Sequence, residues 1–252
     1  MLDRNQLVSF LQTELQTERI TDYCPNGLQV EGKQNIQRIV TGVTASQALI
    51  DAAINAKADA VLVHHGYFWK GESAVITGMK KRRLQSLLQH DINLLAYHLP
   101  LDIHPVLGNN AQLGKMLDVQ HITPIAGLEP NGIVMQGEFV TAQTAIQVKR
   151  LLEQLLQRTV LLHEGGDSMI KKVAWCTGGG QGYIEQAVAA GAQLFITGEV
   201  SEQTIHVSRE LGIHFIAAGH HATERYGIKA LGEYIAKQFD VNVDFIDIDN
   251  PA

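Results

Sequence analysis

Apolar positions along the chain switch between two periods. Leu7, Phe10, Leu11 and Leu15 recur at helical spacing and predict an amphipathic first helix. The stretch from Asp22 to Gly27 breaks the pattern, with Asn26-Gly27 marking a turn. Leu28-Gln-Val30 predicts a short strand, followed by a strand over 36–43 and a helix over 46–56. Ala60-Val-Leu-Val63 is a fully apolar strand running into His64-His65-Gly66. A helix over 80–89 and a strand over 92–97 come next, and that strand leads to His98 and Asp102. Pro100 argues for a loop rather than a helix between these two residues. Residues 110–117 predict another helix.

The C-terminal part has the same rhythm. A strand over 172–176 precedes the glycines 178–180, a helix over 182–190 and a strand over 194–197 that ends at Gly198-Glu199. A helix over 202–211 leads to a strand over 213–218 that ends at His220-His221. A helix over 222–239 and a strand over 241–248 close the pattern. Residues 36–66 align with 170–200, and 90–102 with 211–224, as a divergent repeat. Strand and helix alternation predicts an α/β (α+β) fold built of two pseudo-repeated βαβ-type halves. Open sheets of this kind bind ligands outside the carboxyl ends of their strands. Between the halves, a strand over 132–140, a helix over 142–156 and a strand over 160–162 predict a small inserted β-α-β domain at 127–170. The larger domain is then 1–126 plus 171–252.

Composition supports this picture and narrows the function. Hydrophobic residues make up 45% of 252 residues, enough for a sizeable core. The net charge of −6 argues against a broad nucleic-acid or membrane-binding footprint. No apolar run is long enough to span a membrane, and the N-terminus reads as a polar helix rather than a signal peptide. Cys24 and Cys176 lie far apart, so a disulfide framework is not expected and the reading is cytoplasmic. Neither cysteine has a C-x-x-C partner, which makes both poor metal ligands.

The candidate chemistry lies in histidines at predicted strand ends. His64-His65 supply imidazole donors suited to Zn, Fe, Mn or Ni, or else a solvated loop beside one core histidine. Asp102 follows His98 and could bridge two cations, or else serve as a turn or cap residue. His220 and Glu224 share one helical face, which is good ligand spacing, although Glu224 alone also suits a helix start. Together these clusters supply nitrogen and oxygen donors enough for two metals. Thr177-Gly-Gly-Gly180 could cradle an anion or form a tight connection. Glu199 could be a base, an anchor or a cap neighbour. Tyr67, Phe68 and Trp69 could stack on a planar ring or form core. Lys80-Lys81-Arg82-Arg83 reads as a solvated helix face.

Five segments carry a family resemblance: Tyr23-Cys-Pro-Asn-Gly-Leu-Gln-Val30, Val63-His-His-Gly66, His98-Leu-Pro-Leu-Asp102, Thr197-Gly-Glu-Val-Ser-Glu202 and Gly219-His-His-Ala-Thr-Glu224. They resemble the GTP cyclohydrolase 1 type 2 (Nif3-like) family, in its compact bacterial YbgI-like form. The resemblance implies two divalent metal ions per subunit, held by His64, His65, Asp102, His220 and Glu224, with His98 close by. It also implies a homohexameric ring and a small-molecule substrate such as GTP. On that basis the chain is expected to be a metal-dependent hydrolase of a nucleotide, phosphoester or amide, with His98 or His221 as catalytic proton carriers. The alternatives are a non-catalytic metal-binding or metal-insertion protein, or a DNA-associated toroid, against which the acidic balance argues.

Overall fold

Strand β1 (Leu2–Asp3) ends at Asp3, whose side chain accepts from the N–H groups of Asn5 and Gln6 and so starts helix α1 (Arg4–Glu14). Helix α1 buries Leu7 and Leu11. The computed structural model describes residues 1–252. They fold as two compact units, Met1–Leu101 with Gly227–Asp249, and Asp102–Tyr226 with Asn250–Ala252.

The first unit continues with β2 (Gly27–Val30), β3 (Asn35–Ile36), β4 (Arg38–Thr44), α2 (Gln47–Asn55), β5 (Ala60–His65), α3 (Gly78–Gln89) and β6 (Asn93–Ala96). Strands β4, β5 and β6 are parallel neighbours, and β2 pairs antiparallel with β6. Their near-continuous apolar runs suit a sheet covered on both faces. Val40, Val61, Val63 and Leu94 pack there with Leu49, Ile50 and Leu87 from the helices. Because the strands are parallel, β5 and β6 end at the same edge. His64 and His65 complete β5, and His98 lies just beyond β6.

The second unit spans α4 (Leu99–Asp102), which begins in the first unit, then α5 (Asn109–Met116), β7 (Gln120–Pro124), β8 (Met135–Gln143), α6 (Ala145–Leu156), β9 (Leu161–His163), β10 (Ile170–Cys176), α7 (Ile184–Ala189), β11 (Leu194–Thr197), α8 (Glu202–Leu211), β12 (His214–Ala217) and the start of α9 (His220–Gln238). Its sheet has the order β7-β8-β10-β11-β12-β9, with β10, β11 and β12 parallel and antiparallel strands outside them. From Gly227 onward α9 belongs to the first unit, where β13 (Asn242–Phe245) adds a parallel edge strand beside β4. No helix is long and apolar enough to cross a membrane.

Two expectations meet a different outcome. Residues 99–102 form a single helical turn rather than a loop. Pro100 sits in its first turn, where the N–H it lacks has no intrahelical partner to lose. Residues 127–170 do not stand apart as an inserted domain. Strand β8 pairs with β10 and β9 pairs with β12, while Val148, Leu152 and Leu156 of α6 share a core with Trp175, Ile196 and Ile216. The apolar faces of so short a segment are covered by the strands that follow it, and one core results. Strand β7 had no predicted counterpart, and the positive φ of 55° at His121 interrupts its regularity.

Asn93 fixes the start of β6. Its buried side chain accepts from Gly32 N–H at 2.9 Å and donates to the carbonyls of Lys33 at 2.8 Å and Asp59 at 3.0 Å. Asn93→Ala leaves these backbone groups short of a partner and should lower unfolding free energy by about 2–4 kcal/mol in urea titrations. A loss below about 0.5 kcal/mol, the size of an ordinary surface change, would contradict that role.

Candidate metal centre

In the first unit three imidazoles gather at the carboxyl ends of β5 and β6. The ring centroids of His64 and His65 are 4.6 Å apart, with His98 5.1 Å from the former and 5.6 Å from the latter. One donor atom from each lies within 4.8 Å of the others. Each ring is held through Nδ1. His64 Nδ1 donates to the Tyr97 carbonyl at 3.0 Å, His98 Nδ1 donates to Asp22 Oδ1 at 2.8 Å, and His65 Nδ1 lies 3.2 Å from Thr44 Oγ1. An imidazole that donates through Nδ1 ligates a cation through Nε2.

Asp22 anchors more than the ring of His98. Its Oδ2 accepts from Leu99 N–H and from Asn26 Nδ2, both at 2.9 Å, while Asn26 Oδ1 accepts the His98 N–H at 2.8 Å. Burial alone would raise the Asp22 carboxyl. The hydrogen bond and charge of His98, with Asn26 and the Tyr23 N–H, outweigh it and hold the group below the usual carboxylate range. Cys24 also falls within 4.8 Å of Asp22 and His98. Burial, and then the charge of Asp22, push its thiol up to about 12, so it stays protonated and is a weak ligand at neutral pH.

In the second unit the site is built on the first turn of α9. His220 Nδ1 donates to Glu199 Oε1 at 2.7 Å, and its Nε2 lies 3.2 Å from Glu224 Oε1. Burial opposes charge on this ring, but Glu224 and then Glu199 outweigh it and raise the pKa to about 9. Glu199 also accepts from Gln181 Nε2. Glu224 is only 2% exposed, and a Cβ at Gly178 would overlap its Oε1. Gly178 has a φ of +66°, so both close approach and backbone conformation favour glycine there. Asp102, at the end of α4, is also buried and accepts from Asn109 Nδ2 at 2.8 Å. Thr177 Oγ1 lies 3.5 Å from the same oxygen. Burial, and then the charges of Asp102 and Glu224, push the Cys176 thiol up, so it too stays protonated.

These donors fit divalent cations chemically. Imidazole nitrogens and carboxylate oxygens with outer partners already in place are the usual components of Zn, Fe, Mn or Ni sites. In the first unit the structure brings together His64, His65 and His98, and in the second His220 and Glu224, with Asp102 buried nearby in sequence to α5. His221 is buried as the second residue of α9.

The softer sequence features resolve individually. The glycine loop is a tight connection: Gly178 N–H donates to Thr223 Oγ1 and Gly180 N–H to Thr197 Oγ1. Glu199 is an anchor for His220. Tyr67 is core, its hydroxyl donating to the Ala45 carbonyl, whereas Trp69 packs edge-on to His98 at 4.9 Å. Lys80 turns to Glu72 and the Ser73 carbonyl and Arg83 toward the Tyr67 ring, so the basic run does not form one solvated face. Sequence reasoning missed Asp22, Thr44 and Asn109. Only Asp22 gave a local signal, as a carboxylate directly preceding the Tyr23–Val30 segment.

The sequence model of the family described as Duf34/NIF3 (NGG1p interacting factor 3) matches residues 2–251. A Yersinia pestis protein named GTP cyclohydrolase 1 type 2 homolog is 58% identical over 249 residues, covering 98% of each chain. A solved structure described as protein ybgI, unknown function, is 52% identical, with a TM-score of 0.96 over 100% of both chains. A crystal structure of a Thermus thermophilus protein is 36% identical, with a TM-score of 0.90 over 100% of both chains. A chain matched along nearly its whole length in sequence and in fold belongs to the Duf34/NIF3 family.

Proposed function

We propose that this protein holds two divalent cations through His64, His65, Asp102, His220 and Glu224, and hydrolyses a small-molecule substrate with them. The observation that carries the reading is the set of histidines at strand carboxyl ends, each fixed through Nδ1, together with two buried carboxylates. Bound cations would supply Lewis-acid activation of water and of the attacked centre. The chain's own residues do the rest. Asp102 and Glu224 would offset the charge of the cations. Glu199 orients His220, and Tyr97 and Thr44 orient His64 and His65. His98 and His221 are the imidazoles outside this ligand set that would carry protons. The shared name of the relatives, GTP cyclohydrolase 1 type 2 homolog, supports a nucleotide as substrate, with C8 of the guanine ring as the attacked atom. A related phosphoester or amide would use the same residues. The reading includes a homohexameric ring, for which sedimentation at micromolar concentration should give a hexameric mass. A sole species of 27.7 kDa would contradict it.

Glu224→Gln keeps the side chain's size and removes its charge. Metal content should fall from two ions per chain to one, and turnover should drop by orders of magnitude, with thermal stability retained. Full metal content and unchanged turnover would remove Glu224 from the ligand set. Wild-type protein that binds both metals yet turns over no nucleotide, phosphoester or amide would favour a metal-binding role without catalysis.

The raised pKa of His220 gives a signed pH dependence. Its folded value, about 9, lies above the ordinary 6.5, so the bonds to Glu224 and Glu199 stabilise the metal-free fold fully below pH 6.5. That contribution is lost as pH rises through about 9. The melting temperature of chelator-treated protein should fall across this window, and His220→Gln should flatten that slope. A cation at Nε2 displaces the proton, so binding at about pH 7.5 should release about one proton per chain from this ring. Calorimetry in buffers of different ionisation enthalpy measures it, and no release would contradict the ligand assignment of His220.

A further inference from the structure

We propose that Trp69 is a specificity residue, the platform on which a planar heteroaromatic ring of the substrate stacks. The inference rests on the reading above for where the substrate sits, and adds the residue that selects its ring. Three aromatic residues follow Gly66 in a row, and each has a different fate. Tyr67 is buried core and is clamped to β2 by Gln29, whose Oε1 accepts its N–H at 2.7 Å and whose Nε2 donates to its carbonyl at 3.0 Å. Phe68 is exposed. Trp69 is half-buried, and its ring meets His98 edge-to-face at 4.9 Å and lies 5.9 Å from His65. A purely packing role accounts for Tyr67, but not for a partly open indole set against two imidazoles.

The backbone gives a second support. Phe68 has a φ of 63°, a left-handed conformation that is costly for a bulky aromatic residue and persists only where its surroundings hold it. That residue immediately precedes the ring that meets His65 and His98. Several contacts hold the segment. Trp69 N–H donates to Glu72 Oε2 at 3.0 Å, Glu72 Oε1 pairs with Lys80 Nζ at 3.2 Å, and Lys80 lies over the Phe68 ring at 5.1 Å. The indole Nε1 donates to the Gly66 carbonyl at 3.2 Å, which satisfies the one polar atom of the ring. An indole fixed in this way has little further freedom to lose when a ligand stacks on it. A π-face selects flatness and polarisability rather than a pattern of donors and acceptors. A purine or another planar heteroaromatic ring gains from it, and an aliphatic phosphoester or amide does not.

Guanosine is the probe, because it offers a purine without a phosphate to attract cations. Equilibrium dialysis measures its affinity, with ribose phosphate, which has no aromatic ring, as the control. The chain has two tryptophans, and Trp175 is fully buried, so quenching of tryptophan fluorescence by a stacked purine reports Trp69. Wild-type protein should bind guanosine with quenching, and more tightly than it binds ribose phosphate. Trp69→Leu should weaken guanosine binding by about 10-fold or more, whereas Trp69→Phe, which keeps a ring, should stay within about 3-fold of wild type. Circular dichroism should show both variants folded. Wild-type affinity for guanosine in folded Trp69→Leu would overturn the inference. If that variant does not fold, guanosine binding to wild type without quenching overturns it equally. Wild-type protein that binds no guanosine yet hydrolyses a phosphoester or amide would sink the inference and leave the hydrolase reading standing. Stacking with the expected losses, but no turnover of any substrate, would support the inference and sink the hydrolase reading alone.

Discussion

A neutral imidazole carries one N–H, so an acceptor at Nδ1 makes Nε2 a lone-pair donor. Three histidines of this chain, His64, His98 and His220, donate from Nδ1 to the Tyr97 carbonyl, Asp22 and Glu199, while His65 Nδ1 lies against Thr44 Oγ1. The rest of the site depends on these contacts, because they orient the rings before any ligand arrives. They also hold the rings in place, which lowers the entropy to be lost on binding. At His220 the same logic has a second side: Glu224 faces Nε2, so a proton occupies that nitrogen until a cation replaces it.

The fold explains why the anchors are where they are. Parallel strands present their carboxyl ends at one edge, and the backbone beyond the last pair turns away from the sheet. A carbonyl such as that of Tyr97 then becomes available to a neighbouring strand's side chain. Strand β5 runs through His65 rather than stopping at Val63, so both histidines belong to ordered backbone. In the second unit the first turn of α9 plays the corresponding part, with Gly178 allowing a second loop to lie directly against Glu224.

Much of this was legible in the sequence, for identifiable reasons. Apolar runs located β5, β6, β10, β11 and β12, because strands buried on both faces leave no polar positions to confuse the period. The histidines stood out because they interrupt those runs at their ends. Asp22 was not legible, since its role depends on His98, which is distant in the chain and close only after β2 pairs with β6. The single turn at 99–102 is not legible in the sequence, because proline breaks a helix in its interior but fits its first turn, and Pro100 alone does not say which applies. The segment 127–170 has the length and pattern of a separate piece, and only strand pairing shows it completing a sheet.

The central claim, that these oriented histidines and buried carboxylates hold metal, is tested most directly by anomalous diffraction from crystals grown with Zn or Mn. The account predicts two anomalous peaks per chain, about 3.5–4 Å apart and about 2.0–2.3 Å from ligand atoms of His64, His65, Asp102, His220 and Glu224. Peaks bound elsewhere, or none at these residues in crystals grown at saturating metal, would contradict it.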